Sequence, residues 1–433
     1  MSRLDSLPSI HLCTLLRLHT NDEPIVITGI GMITSVGNTR ETVWRAVCEG
    51  KSGARLLRDV PGIPDGLLVA APVDLELDAP GQLKVIALAD RAAAEALDDA
   101  KIAWNHIDFD RFGCAISGHM GDTGYVNSQL ALRDRPDDGI PWWHQWMPNT
   151  ACSQVANRYG LHGPRLCHST ACVSGMIDIL GAVRAIQDDQ CDIALAGSAE
   201  GIHPLFAAGF HNMKVLAYDE DPTRACRPFD ASRSGFIMGE GAAMFVIERL
   251  SHALDRGAKI YAEFVAGKLL ADAHHVTGID MTSEPLTRLI CDTLRAGHVD
   301  PNEIGYINAH GTGTQQNDVA ETRAIRRSLG LAANNLCVSS TKSALGHLVN
   351  ASGSVELAIT TLAMRDGFIP PTLNLTNPDP ECDLDCVPQI GRRVNLNCAM
   401  KLSVAFGGHL GATILRRWND SRSGFGRPGR LAA

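Results

Sequence analysis

Ser169-Thr170-Ala171-Cys172-Val173-Ser174-Gly175 opens an apolar stretch that continues to Asp188, and Ser340-Thr341-Lys342-Ser343-Ala344-Leu345-Gly346 opens another. Each follows a strand-like segment and leads into a helical pattern, and Gly181-Ala182-Val183 is echoed by Gly353-Ser354-Val355. Identities among such common residues arise easily by chance. Together they suggest a duplicated α/β half with chemistry at equivalent strand-to-helix turns.

Outward from these two stretches the chain alternates. Ile25 to Gly29, Cys114 to Gly118, Ile193 to Gly197, Ala242 to Glu248 and Ile304 to Ala309 read as short buried strands. Leu83 to Ala100, Gly175 to Asp188, Pro285 to Ala296 and Val319 to Ser328 carry the helical period. The alternation predicts an α/β fold around a largely buried sheet. Gly29, Gly31 and Gly37 do not make a dinucleotide loop, because the third glycine of G-x-G-x-x-G would fall at Thr34.

Composition narrows the function classes. Of 433 residues 45% are hydrophobic and 20% charged, which excludes a disordered chain and a coiled coil. A net charge of -9 argues against a nucleic-acid binder with a basic surface. The 13 cysteines are scattered and often sit in apolar runs (Cys114, Cys152, Cys191, Cys337), the pattern of reduced, buried thiols in a cytoplasmic protein. No apolar run approaches the roughly 20 residues of a membrane span. Leu7 to Leu18 holds His11 and Arg17 with no cleavage site behind it, so residues 1–22 read as an extension, not a signal peptide. Residues 418–433, rich in Gly, Ser and Arg, read as a frayed tail.

Three segments carry candidate chemistry. Cys172 lies between an extended segment and a helix start, where unpaired N–H groups and the macrodipole would stabilise a thiolate. On position alone a nucleophile and a buried small hydrophobe are equally good readings. Asn308-Ala309-His310-Gly311-Thr312-Gly313-Thr314 delivers an imidazole from a strand into a Gly/Thr loop, and Lys342 and His347 enter a second apolar helix. Alone, each histidine would read as structural. Trp142, Trp143 and Trp146 read as loop or interface packing, or as an acyl-pocket wall. His274-His275 and Cys382 with Cys386 lack paired zinc-ligand spacing, so no metal is expected.

Taken together these segments closely resemble the β-ketoacyl-acyl-carrier-protein synthases, specifically the type II elongating ketosynthases. The likeness extends through Arg227-Pro228-Phe229-Asp230, Gly235-Phe236-Ile237-Met238-Gly239-Glu240-Gly241, Asp272-Ala273-His274-His275 and Pro370-Pro371-Thr372-Leu373-Asn374, from about Ile25 to Arg416. The resemblance implies a thiolase fold, α/β, with two similar halves in five αβαβα layers. The first would span 23–260 with Cys172, the second 261–417 with His310 and His347. It implies that Cys172 takes an acyl chain from a carrier-protein phosphopantetheine, and that the enolate of decarboxylated malonyl carrier protein attacks that thioester. His310 and His347 would promote decarboxylation, with Lys342 and Glu356 supporting the electrostatics. Thr312 and Thr314 would contact the pantetheine arm, and the N–H groups of Cys172 and Phe406 would form an oxyanion hole. No cofactor of its own is implied. The partners would be acyl carrier protein and a second ketosynthase subunit, identical or similar; nucleic acid and a membrane span would play no part.

The chain departs from the family in places. The usual Asn-Ser-Phe-Gly-Phe-Gly-Gly-Thr-Asn aligns with Leu402-Ser403-Val404-Ala405-Phe406-Gly407-Gly408-His409-Leu410. Phe406, Gly407 and Gly408 are kept, while His409-Leu410 replaces Thr-Asn, so either the gate or the substrate differs, or His409 points outward. Near Leu83 the basic residues expected to meet the carrier reduce mainly to Lys84 and Arg91. Met120 aligns where the family caps the acyl tunnel. Two rival readings are a non-catalytic partner subunit, which would lack the nucleophile, and a degradative thiolase, which would use a second cysteine.

Overall fold

The computed structural model describes residues 23–60, 62–78, 82–118, 144–145 and 147–419. The 1–22 extension, Met120, the Trp142/Trp143/Trp146 cluster and the tail beyond Asn419 lie outside the described residues.

Ten strands form one mixed sheet. From edge to edge they are Cys337–Ser339, Ile304–Asn308, Cys398–Ala405, His409–Arg417, Ala262–Ala271, Ile25–Thr34, Gly241–Arg249, Ile193–Glu200, Phe112–Ser117 and Arg165–Leu166. Divided at its centre, the sheet repeats one pattern. Three parallel strands lie at each outer edge, followed inward by two antiparallel ones. The two fives join where Ile25–Ile27 pair with Ala262–Phe264.

The helices complete five layers. Ser174–Gln187 and Ser352–Asp366 pack on each other and on strands of both halves. Every residue from Ser352 to Met364 is buried, as a helix walled in on all sides requires. Lys84–Asp99 covers one outer face; Glu284–Ala296 and Gln315–Leu329 cover the other. Glu284–Ala296 buries Leu286, Leu289, Ile290, Thr293 and Leu294, a stripe at i, i+3, i+4, i+7 and i+8.

The duplication is present, in a different register from the one the sequence suggested. Short 3₁₀ turns, Ala171–Val173 and Val349–Ala351, feed the two central helices, and Ser174-Gly175 corresponds to Ser352-Gly353. Cys172 therefore matches Asn350, not Ser343; Lys342–Leu345 is a separate four-residue helix upstream. Ala171 (φ 48°) and Val349 (φ 40°), each opening its turn, adopt the left-handed backbone that non-glycine residues avoid. The helix starts touch: a β-carbon at Gly353 would lie 2.8 Å from the Met176 nitrogen.

Candidate active site

Cys172 and His347 meet at this junction. Cys172 is 7% exposed and His347 2%, and the Cys172 Sγ lies 2.9 Å from His347 Nε2. On the far side of the ring, Nδ1 is 2.8 Å from Ser352 Oγ, the first residue of the second central helix. The backbone around His347 is pinned to the Ile237-Met238-Gly239 strand. His347 N–H donates to Ile237 C=O (2.7 Å), and Gly239 N–H donates to His347 C=O (2.9 Å). A β-carbon at Gly239 would sit 2.3 Å from Leu345 O, so that approach requires glycine.

His310 arrives from the other half, two residues past the strand Ile304–Asn308. Its ring stands edge-on to His347, centroids 5.3 Å apart. Ligating atoms of Cys172, His310 and His347 all lie within 4.8 Å of one another. The His310 loop is held by Glu321, whose carboxylate accepts the His310 N–H at 2.6 Å and the Gly311 N–H at 2.8 Å. His310 Nδ1 is buried with no hydrogen-bond partner.

Beneath the histidines lies a buried charge cluster. Lys342 pairs with one oxygen of Glu356, and Lys401 lies 2.8 Å from the other, with all three side chains at most 1% exposed. Burial first, then the positive charge of Lys342, pushes both imidazoles well below their ordinary 6.5. Burial also pushes the Cys172 thiol from 9.0 up to about 12, against the opposing pull of Lys342. Burial thus opposes the stabilisation that the helix end was expected to give the thiolate.

Two cavities converge on Cys172. One, about 490 Å³, reaches it past Ser234, Thr312, Thr314, Gln315, His310 and His347; the Thr312 and Thr314 hydroxyls are 2.9 Å apart. The other, about 420 Å³, is walled by Leu205, Phe206, Phe210, Met213 and Met238. Cys172, Phe210 and Phe406 line both. Gly407, Gly408 and His409 line neither. The His409 ring lies against Gly407, and His409 and Leu410 begin a strand, paired with Ala271 and Leu270. Leu410 is 2% exposed, which suits the leucine that stands in place of the usual Asn. Lys84 forms an ion pair with the buried Glu240, and Arg91 forms a surface pair with Asp78 that leaves its guanidinium exposed.

The other quoted motifs hold loops in place. Asp230 accepts from the N–H groups of Ser232, Thr376 and Asn377. Asn374 donates to the carbonyls of Thr223 and Cys226. Glu321 and Lys401 were not identified from the sequence. A lysine inside the apolar strand Cys398–Ala405 was the one available signal.

A cysteine on a strained turn between two duplicated α/β halves, with two histidines from the second half beside it, defines a condensing enzyme of the thiolase fold. The β-ketoacyl synthase N-terminal domain model matches residues 83–253 and the C-terminal domain model 261–376, and the chain belongs to this family. It is an acyltransferase that condenses acyl groups in fatty acid or polyketide synthesis. It is 38% identical to a 3-oxoacyl-[acyl-carrier-protein] synthase 2 of Synechocystis sp., covering 89% of this chain and 96% of the relative. It is 34% identical to the tetracenomycin polyketide synthase ketoacyl synthase alpha subunit of Streptomyces glaucescens, covering 93% and 99%. Among solved structures, a type II polyketide ketosynthase bound to a hexaketide, in complex with its acyl-carrier protein, matches with TM-score 0.85 and 30% identity, covering 92% of this chain and all of that one. The ishigamide ketosynthase/chain length factor matches at TM-score 0.82, also 30% identical, with the same coverage.

Proposed function

We propose that Cys172 is the acyl carrier of a two-step condensation and that acyl carrier protein delivers both substrates on phosphopantetheine. The observation that carries this is the 2.9 Å contact between Cys172 Sγ and His347 Nε2, where burial disfavours the charged form of each. In the first step Sγ attacks the thioester carbonyl carbon. Its proton passes to Nε2 and on to the departing pantetheine sulfur, so no net charge accumulates. The N–H groups of Cys172 and Phe406 face the tetrahedral oxygen.

In the second step malonyl thioester enters from the polar cavity, where Thr312 and Thr314 meet the pantetheine arm. The bond to the carboxyl carbon breaks, CO₂ leaves, and the electron pair becomes a thioester enolate stabilised by the His310 N–H and by His347 in the tautomer that carries its proton on Nε2, with Nδ1 accepting from Ser352 Oγ. The enolate carbon bonds to the Cys172-bound acyl carbon, and the sulfur departs as a thiolate that takes up a proton from water. Burial, with the positive charges of Lys342 and Lys401, disfavours protonation of both histidines, and Glu356 holds the two lysines in place. Phe406, between the cavities, gates them, with Gly407 and Gly408 as its hinge and His409 behind it.

No cofactor beyond the carrier's pantetheine enters these steps. Exposed Lys214, at the mouth of the polar cavity, is the cation placed to meet the carrier. Leu205 and Met213, 56% and 40% exposed at the apolar cavity, suit cover by a second ketosynthase subunit, identical or similar. Twelve free cysteines among the described residues suit the cytoplasm, and no described helix is long and apolar enough to cross a membrane.

Intact-mass measurement with a panel of acyl-carrier proteins tests the reading. One acyl adduct is expected on the wild type and none on Cys172→Ala, with a β-ketoacyl carrier released once malonyl carrier protein is added. An unmodified Cys172 across a full panel with a competent carrier would overturn it in favour of a non-catalytic partner.

A further inference from the structure

The three groups assigned to the condensation also form a metal-ligand set. The ligating atoms of Cys172, His310 and His347 all lie within 4.8 Å of one another, the only such set of three among the described residues. A tetrahedral zinc ion, with bonds of about 2.3 Å to sulfur and about 2.0–2.1 Å to nitrogen, holds its ligands about 3.3–3.6 Å apart. The 2.9 Å Sγ–Nε2 contact has only to open slightly to admit it. Burial disfavours a proton on either ring, which leaves a lone pair on each for a metal. His347 Nδ1 is 2.8 Å from Ser352 Oγ, a hydroxyl that accepts from Nδ1–H in the tautomer whose Nε2 ligates. His310 Nδ1 has no hydrogen-bond partner, so no bond there fixes its tautomer. The polar cavity of about 490 Å³ gives a hydrated ion a way in and leaves room for water at a fourth position.

We propose that Cys172, His310 and His347 bind zinc(II) reversibly through one thiolate and two imidazoles, and that this binding inhibits the enzyme. The thiol proton leaves to solvent and the sulfur lone pair bonds the metal; no electron is transferred. A metal-bound sulfur does not attack a thioester, and acylated Cys172 offers no thiolate, so metal and acyl group exclude each other. One sulfur with two imidazoles selects zinc or cobalt over magnesium and calcium, which take oxygen ligands. Lys342 and Lys401, with only Glu356 between them, leave a net positive charge beneath the rings that opposes a dication. The ion is therefore an exchangeable inhibitor and not a resident cofactor. Binding follows from the ligand geometry; the inhibition rests on Cys172 being the acyl carrier.

Cobalt(II) is the probe, because a thiolate bound to it gives a charge-transfer absorption that reads binding without turnover. Titration of the full-length protein is expected to produce this band. It should be lost in Cys172→Ser and in protein acylated beforehand at Cys172, and Ser352→Ala should weaken the affinity about 10- to 100-fold. Zinc should displace the cobalt and stop acylation of Cys172, a chelator should restore acylation, and magnesium should do neither. A band that survives Cys172→Ser, or no band in protein that acylates normally, overturns the proposal and leaves the catalytic reading standing. Cobalt bound through Cys172 in protein that fails to acylate when metal-free supports the ligand set and overturns the inhibition together with the catalytic reading.

Discussion

Glu321 offers the sharpest test of how the site is held. Its two carboxylate oxygens separately accept the His310 and Gly311 N–H groups at 2.6 and 2.8 Å, inside a buried helix face. In Glu321→Gln one oxygen survives and the other becomes an amide NH₂ facing an N–H donor. The loss is one charge-assisted bond, about 1.5–3 kcal/mol, plus a stranded buried N–H at about 1–3 kcal/mol. The variant no longer buries an ionised carboxylate, which returns part of this. A net cost of about 2–4 kcal/mol follows, tolerable for a fold stable by roughly 5–15 kcal/mol. The catalytic effect falls on one half-reaction. His310 is displaced, whereas the Cys172–His347–Ser352 line is anchored elsewhere, by Ile237 and Gly239. Two assays separate the steps: intact-mass acylation of Cys172, and CO₂ release from malonyl carrier protein. Acylation should stay within about threefold of wild type, while decarboxylation drops by up to about 100-fold, as for a displaced catalytic group. A parallel fall in both rates, or unchanged decarboxylation in a measurably destabilised protein, would refute the positioning role.

The remaining predictions concern charge and the gate. Both imidazoles must be neutral to act, and burial with Lys342 holds them well below 6.5. Activity should therefore persist below pH 6.5 and fall as either ring protonates; Lys342→Met should move that acid limb upward. An acid midpoint at or above 6.5 in the wild type contradicts this. Glu356→Ala leaves Lys342 and Lys401 buried and unpaired, at about 3–5 kcal/mol in denaturant midpoint measurements. Lys84→Ala removes the cation from Glu240, which is 5% exposed, and should cost more than the roughly 1 kcal/mol of an exposed pair. At Gly408 (φ 76°) a β-carbon would meet Asp272 Oδ1 at 2.1 Å. Gly408→Ala should thus cut condensation by more than about tenfold with the melting temperature little changed, and near-normal turnover would show that the turn does not govern entry.

Much of this architecture could be read in advance because a doubly covered sheet needs continuously apolar strands. Ile25–Thr34, Phe112–Ser117, Ile193–Glu200, Gly241–Arg249 and Ile304–Asn308 each cover or nearly match a run named from the sequence. Ala262–Ala271 escaped notice, because Glu263, Gly267 and Lys268 interrupt the apolar pattern and several of its side chains are only half-buried. Its place is set by long-range pairing with Ile25–Ile27 and with His409–Arg417. The site divides along the same line. Cys172, His310 and His347 were singled out only when their motifs were taken together; alone, each histidine read as structural. Glu321 sits among Asn317, Asp318 and Arg323, a stretch that reads as a solvated helix face, and only tertiary packing makes it a buried clamp. The Cys172–Asn350 correspondence was hidden because the two turns share backbone geometry and little sequence beyond Ser-Gly.

That correspondence explains how one copy of a duplicated fold came to serve the other. Each central helix begins with a serine, and the two serines do different work. Ser174 donates to Asn350, the residue equivalent to the nucleophile, and so ties the second turn to the first. Ser352 contacts Nδ1 of His347 and turns Nε2 toward Cys172. The second half carries Asn350 where the first carries Cys172, and supplies His310, His347 and the charge cluster. The neutrality of this arrangement suits decarboxylation. A protonated imidazole would bind the malonyl carboxylate and stabilise the charge that must leave. A neutral N–H favours the enolate oxygen, where charge accumulates as CO₂ departs. The lysines flanking Glu356 carry one net positive charge beneath the rings, enough to oppose protonation of His310 and His347 while remaining walled off from substrate.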